Sequence, residues 1–150
     1  PSEALSEATA YTMVDMMRAV IRMNGGSGVR MVTEYKMGEY DIAGKTGTTQ
    51  NSADTWFMMM HPDLVMGSWV GFNDPIFRFR TEWWGQGAHT ALHVVGGFMR
   101  GITDEEDTFI SKDSRFPAPE RFGANLENDP LQSDSLKTNE RPRRRGRLDW

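Results

Sequence analysis

Apolar side chains recur at steps of three and four between Ser6 and about Asn24, at Tyr11, Val14, Met17 and Ile21, which predicts an amphipathic helix with Ser6 as its N-cap. Asn24-Gly25-Gly26-Ser27-Gly28 ends it, because glycine accepts the left-handed conformation and continues a helix only at a cost. Positions 29–40 are polar and weakly alternating, and are read as an irregular strand. From Asp41 the pattern turns to β. Stretches 42–49, 55–60 and 64–72 are rich in β-branched, aromatic or methionine side chains, and the two segments between them, Gln50-Asn51-Ser52-Ala53-Asp54 and His61-Pro62-Asp63, are made of turn formers. Three antiparallel strands in two hairpins follow. The near-continuous apolarity of 56–60 and 65–70 predicts strands covered on both faces. After an aromatic loop carrying Phe77, Phe79, Trp83 and Trp84, the spacing of Leu92, Val95, Met99 and Ile102 predicts a helix over 88–102 that packs on the sheet. The fold class expected is α/β, an antiparallel sheet sandwiched by helices.

Beyond Thr103 the texture changes again. Asp104-Glu105-Glu106-Asp107, four of the seven prolines and the run Arg141-Pro142-Arg143-Arg144-Arg145-Gly146-Arg147 leave few apolar residues spaced to form a face. Residues 1–102 are therefore expected to form the folded part and 103–150 a polar, mostly disordered tail, in line with a mean hydropathy of -0.57. At 150 residues the chain has room for one core. The absence of cysteine excludes a disulfide framework, a thiolate zinc site and a cysteine nucleophile. A net charge of -4 argues against general nucleic-acid binding, which needs a basic face to neutralise phosphate. No apolar run reaches the length that spans a bilayer, and Pro1-Ser2-Glu3 shows neither a signal-peptide pattern nor an initiator methionine, so the chain is read as a piece of a longer protein.

Chemistry concentrates in Ala43-Gly44-Lys45-Thr46-Gly47-Thr48-Thr49. A phosphate-binding loop would need a glycine where Glu39 stands and a helix starting at the lysine; Gly38 misses by one position, and the context is a strand entering a hairpin. Nucleotide binding is rejected on both counts. The other chemistry compatible with these residues is that of the K-T-G motif of penicillin-recognising serine enzymes. On a strand bordering an active site Lys45 supplies a cation beside a proton-transfer chain, and the hydroxyls of Thr46 and Thr48 hold a substrate carboxylate. Gly47 lets substrate approach the backbone, and the Thr48 amide is one of two oxyanion donors.

With its surroundings this motif resembles the C-terminal half of the transpeptidase domain of class A penicillin-binding proteins, over residues 1–102. The residues that carry the resemblance are the helix from Ser6 to Val20, the break Gly25-Gly26-Ser27-Gly28, the motif itself, Asp54, Trp56-Phe57, the Pro62 turn and the closing strand Val65-Met66-Gly67-Ser68-Trp69-Val70-Gly71-Phe72. Gly85-Gln86-Gly87-Ala88, opening the last helix, is similar to the branch found in Bacteroidetes and their relatives. His61 and His93 depart from the family, which usually has a small or hydroxylated residue and a proline at those places.

The resemblance implies a D,D-transpeptidase that cross-links peptidoglycan stem peptides through a serine acyl-enzyme and is acylated by β-lactams. Lys45 and Thr48 would be catalytic, and Thr46, Gly47 and Thr48 substrate-binding. No metal and no cofactor is implied. Neither S-x-x-K nor S-x-N occurs in these 150 residues, so the nucleophilic serine, its lysine base and the middle serine are expected upstream, and the chain alone is expected to be inactive. The resemblance further implies a membrane anchor and a glycosyltransferase domain outside this chain, a place on the periplasmic face of the inner membrane, and partners in a cell-wall synthesis complex. Two alternatives stay open: a β-lactamase or D,D-carboxypeptidase using the same strand for hydrolysis, and a non-catalytic β-lactam sensor or scaffold.

Other residues have plainer readings. His89 and His93 lie four apart, as metal-ligating pairs do, but Thr90 stands where a metalloprotease would carry its glutamate. The methionines read as core filling. Trp83 and Trp84 anchor their loop or line the rim of a stem-peptide groove, Asp54 caps a hairpin, and the arginine-rich end is a solvated extension.

Overall fold

A computed structural model describes residues 4–74, 76–105 and 107–119. The chain divides into two units at Pro117, and every element named here belongs to the first. Helix α1 spans Glu7–Arg22, with Ser6 Oγ accepting the Thr9 amide at 3.3 Å, so the cap expected from sequence is present. The glycine break then folds back under it. The Gly28 amide donates to Val20 O at 3.0 Å, and a Cβ at Gly26 would stand 2.3 Å from that same oxygen. Only glycine fits so close a return.

Residues 29–40 differ from the strand expected there. They form a four-residue helix, α2 (Arg30–Thr33), and a 3-10 turn over Met37–Glu39, separated by Lys36 in the left-handed region at φ 63°. Successive reversals, which weak alternation does not encode, bring Met31, Met37 and Tyr40 from this polar stretch into the core.

Strands β1 (Ala43–Thr48), β2 (Asp54–His61) and β3 (Leu64–Gly71) follow as two antiparallel hairpins, giving a sheet of order β1-β2-β3. Thr49 closes the first hairpin by pairing with the backbone of Asp54 in both directions. The last helix, α3, runs over Ala91–Thr103. It starts three residues later than its periodicity suggests, because 88–90 are still a turn, with His89 N bonded to Gln86 O. The α/β class and the antiparallel three-stranded sheet expected from sequence are both present.

Burial alternates strictly along β2: Thr55, Phe57, Met59 and His61 are buried, whereas Trp56 and Met58 are exposed. The buried set joins Ile21 of α1, Met31 of α2 and Leu92, Val95 and Met99 of α3 in one core. All three helices therefore cover the same face. The expectation of cover on both faces is not met among the described residues, and the second face presents Trp56, Met58, Val65 and Trp69 at 40–64% exposure. Continuous apolarity recorded the need for a second cover, not its source.

The boundary expected at Thr103 also moves. Ile110 is 2% exposed and joins the core, while Ser111 N donates to Asp63 Oδ2 at 3.1 Å and Phe116 N to Asp41 Oδ2 at 3.0 Å. Residues 107–117 thus form a strap across the helix-covered side. One isoleucine in a polar stretch forms no periodic face, so hydropathy alone passes over it. The remainder of the expected tail lies outside the described residues.

Two neighbouring glycines of α3 give opposite expectations. A Cβ on Gly96 would meet the Tyr35 ring at 2.4 Å, and that ring is tethered by its hydroxyl to His93 Nδ1 at 2.7 Å; Gly97 faces open space. Gly96→Ala is expected to destabilise by about 1–3 kcal/mol through overpacking. Gly97→Ala should stabilise by roughly 0.5–1 kcal/mol through helix propensity. Melting temperatures moving in opposite directions would check both.

Candidate active site

The register of β1 against β2 sorts the motif residues by face. Thr46 stands opposite buried Phe57 and Thr48 opposite buried Thr55, so both hydroxyls lie on the helix-covered side. Lys45 stands opposite exposed Met58 and Gly47 opposite exposed Trp56, so both lie on the open side. The strand does not gather ammonium and hydroxyls on one surface. A ligand that touches all of them must run along the outer edge of β1, which is the end strand of the sheet and pairs with no other strand among the described residues.

Each position is fixed from a different direction. Lys45 is exposed, and its Nζ donates to Thr46 O at 2.6 Å, which folds the side chain back along its own strand. Thr46 Oγ1 lies 2.8 Å from Ser27 Oγ, so the glycine-rich break after α1 reaches the motif directly. At Gly47 a Cβ would sit 2.9 Å from Trp56 Cβ, so a side chain there would displace the tryptophan. Thr48 Oγ1 accepts the Gly87 amide at 3.4 Å, and Gly87 is packed so tightly that a Cβ would come within 2.7 Å of Gly47 O. The loop after β3 therefore wraps the far end of the motif strand.

Ser27 and Gly87 are the residues that sequence reasoning missed as parts of the site. Their signal was present as glycine-rich punctuation, read only as helix breaking and helix opening. Trp83 is stacked on His89 with ring centroids 3.6 Å apart, and the Arg30 guanidinium sits over it at 5.8 Å. Arg30 Nη1 also meets His93 Nε2 at 3.1 Å. This chain of contacts ties the tryptophan loop to α2 and α3, giving Trp83 and both histidines structural partners; Trp84 is exposed. Among the described residues no group of three histidine, aspartate or glutamate side chains is placed to hold a metal ion. Asp54 acts in its hairpin through its backbone, while its Oδ1 is buried without a hydrogen-bond partner among the described residues. A cavity of about 510 Å³ lies among Tyr35, Lys36, Tyr40, Arg100, Asp104 and Lys112, and none of Lys45, Thr46, Gly47 or Thr48 lines it. No helix among the described residues is long and apolar enough to cross a membrane.

No family model matches the chain. Individual relatives do. Penicillin-binding protein 1A of Neisseria gonorrhoeae is 35% identical over 98 residues, 65% of this chain and 11% of that protein. Its namesake in Pseudomonas aeruginosa is 41% identical over 86 residues, 57% of this chain and 10% of the relative, and that of Neisseria flavescens is 36% identical over 73 residues, 49% and 8%. The chain spans about a tenth of the length of the relatives it matches. The motif strand, the two hairpins and the glycine break occur in the order that the resemblance requires, and identities of 35–41% accompany them: the chain matches a region of class A penicillin-binding proteins.

Proposed function

We propose that residues 1–102 contribute one wall of a peptidoglycan D,D-transpeptidase site, in a protein that cross-links stem peptides through a serine acyl-enzyme and is acylated by penicillin. The observation that carries the proposal is the placement of Lys45, Thr46, Gly47 and Thr48 on an end strand whose outer edge pairs with no other strand among the described residues. An extended peptide can add to such an edge through main-chain hydrogen bonds. Stem peptides are the substrate class that this mode fits.

Lys45, on the open face, supplies positive charge near the attacking hydroxyl and assists proton transfer. Thr46 and Thr48 orient the substrate carboxylate from the other side of the strand, and the Thr48 amide donates to the developing oxyanion. The serine nucleophile, its lysine and the middle serine come from the part of the protein outside this chain. That part seats on the open face beside Lys45, where Trp56, Met58 and Trp69 offer it an apolar bed. The intact protein faces the periplasm from a membrane anchor and carries a glycosyltransferase domain as well.

Incubation with a labelled β-lactam followed by intact-mass analysis tests the proposal. The intact protein should gain one covalent adduct and the 150-residue chain none. An adduct on the chain alone overturns the division of the site, and none on the intact protein overturns penicillin binding itself.

A further inference from the structure

His61 ends β2 with its side chain fully buried. Its Nδ1 accepts the Asp63 amide at 3.2 Å, so the neutral ring carries its proton on Nε2, and Nε2 is buried without a hydrogen-bond partner among the described residues. The carboxylate of Asp63 faces two ways. Its Oδ2 lies 3.5 Å from His61 Nδ1 and at the same time accepts the Ser111 amide of the strap at 3.1 Å. Next to Ser111, Ile110 is sunk in the core.

We propose that His61 and Asp63 form a pH-sensitive latch, which holds residues 107–117 against the sheet while His61 is neutral and releases them when the ring becomes an imidazolium. Proton uptake at Nδ1 ends its acceptance of the Asp63 amide and turns it into a donor toward Asp63 Oδ2. The oxygen that anchors Ser111 is then drawn to the ring, and a buried cation replaces a neutral group. Burial pushes the His61 pKa below its ordinary value of 6.5. Asp63 and Asp41 favour the charged ring, the Ser111 backbone adds to them, and Arg115 on the strap opposes it. The Tyr40 ring packs edge-on at 6.1 Å, and the Lys112 ammonium, paired to Glu39, lies over the same ring at 5.7 Å.

Against the opposing effect of burial, hydrogen bonds from Arg18 and Phe116 hold the Asp41 carboxyl below its usual pKa, and hydrogen bonds from Ser114 and Ser111 hold Asp63 below its own. The sign follows from the lowered histidine. The docked strap is fully favoured above about pH 6.5 and loses ground as pH falls toward the docked-state pKa, because the released state takes up the proton more readily.

Hydrogen-exchange mass spectrometry of the intact protein at pH 7.5 and 5.5, with exchange times scaled for the intrinsic pH dependence, tests this. Peptides covering 107–117 should exchange several-fold faster at the lower pH, the direction set by a docked-state pKa below the released one. Peptides from α1 and β2 should stay protected. His61→Asn keeps an acceptor for the Asp63 amide without titrating, and His61→Phe fills the same space; either variant, if folded, should abolish the pH step. The latch is overturned by equal strap protection at both pH values in the wild type, by persistence of the step in the variants, or by simultaneous loss of protection in α1 and β2.

Discussion

Replacing Lys45 by alanine in the intact protein is expected to slow acylation by penicillin about a hundredfold to ten-thousandfold, the range typical of a positioned group that assists proton transfer. Folding should hardly notice. Lys45 is exposed, and its hydrogen bond is to the carbonyl of the next residue in its own strand, so the stability change should stay within about 0.5 kcal/mol. Acylation rates with a fluorescent penicillin and thermal melts would then diverge sharply. Lys45→Arg keeps the charge on a longer, planar head and should recover little, since a fork of donors does not substitute for a compact ammonium at one point. Normal acylation of Lys45→Ala would remove the central residue of the proposed site.

The second large effect is on folding. Asp41, 4% exposed, accepts from Arg18 Nε and Nη2 at 2.7 Å each and from the Phe116 amide at 3.0 Å. It ties α1, the entry to β1 and the strap together at one carboxylate. The Arg18 guanidinium lies over the rings of Tyr11 and Phe116, 5.2 and 5.5 Å from their centroids. Asp41→Ala orphans the Phe116 amide and leaves the part-buried Arg18 with the exposed Asp15, 3.4 Å from its Nη1, and should destabilise by about 3–5 kcal/mol. Burial by itself would raise the Asp41 carboxyl, but the bonds from Arg18 and Phe116 outweigh it and hold the pKa below the ordinary value. A carboxylate so depressed contributes stability above about pH 3.8, the unfolded-state value, and the contribution fades as pH falls through the folded one. Thermal melts of wild type and variant should therefore converge in strong acid. A fall of less than about 1 kcal/mol at neutral pH would mean that water replaces the carboxylate at no real cost.

What could be read from sequence was whatever short-range pattern encodes. The Ser6 cap, the stripe from Tyr11 to Ile21 and the two polar turns sufficed for α1 and both hairpins, since each depends on residues within one or two turns of chain. The strap was out of reach because Ile110 acts alone, and the carboxylates that bind Ser111 and Phe116, Asp63 and Asp41, lie 48 and 75 positions away. Segment 29–40 misled because α2 is one turn long, too short to show a period. At the site the motif itself was plain, yet the alternation that puts Lys45 and Thr46 on opposite faces, and the contacts from Ser27 and Gly87, come from register and loop closure. Those are tertiary facts, and local propensity holds no trace of them.

The sheet's open face bears on how this region can be altered. Odd-numbered positions of β2 answer to the three helices, while Trp56 and Met58 answer to something else, so one strand obeys two independent sets of constraints. A solubility screen on the isolated region would reward polar replacements at Trp56, Met58, Val65 and Trp69, with no warning from its melting curve. The same replacements carried into the whole protein would strike the proposed seat of the neighbouring half. Engineering of this region alone and engineering of the whole protein pull these four positions in opposite directions.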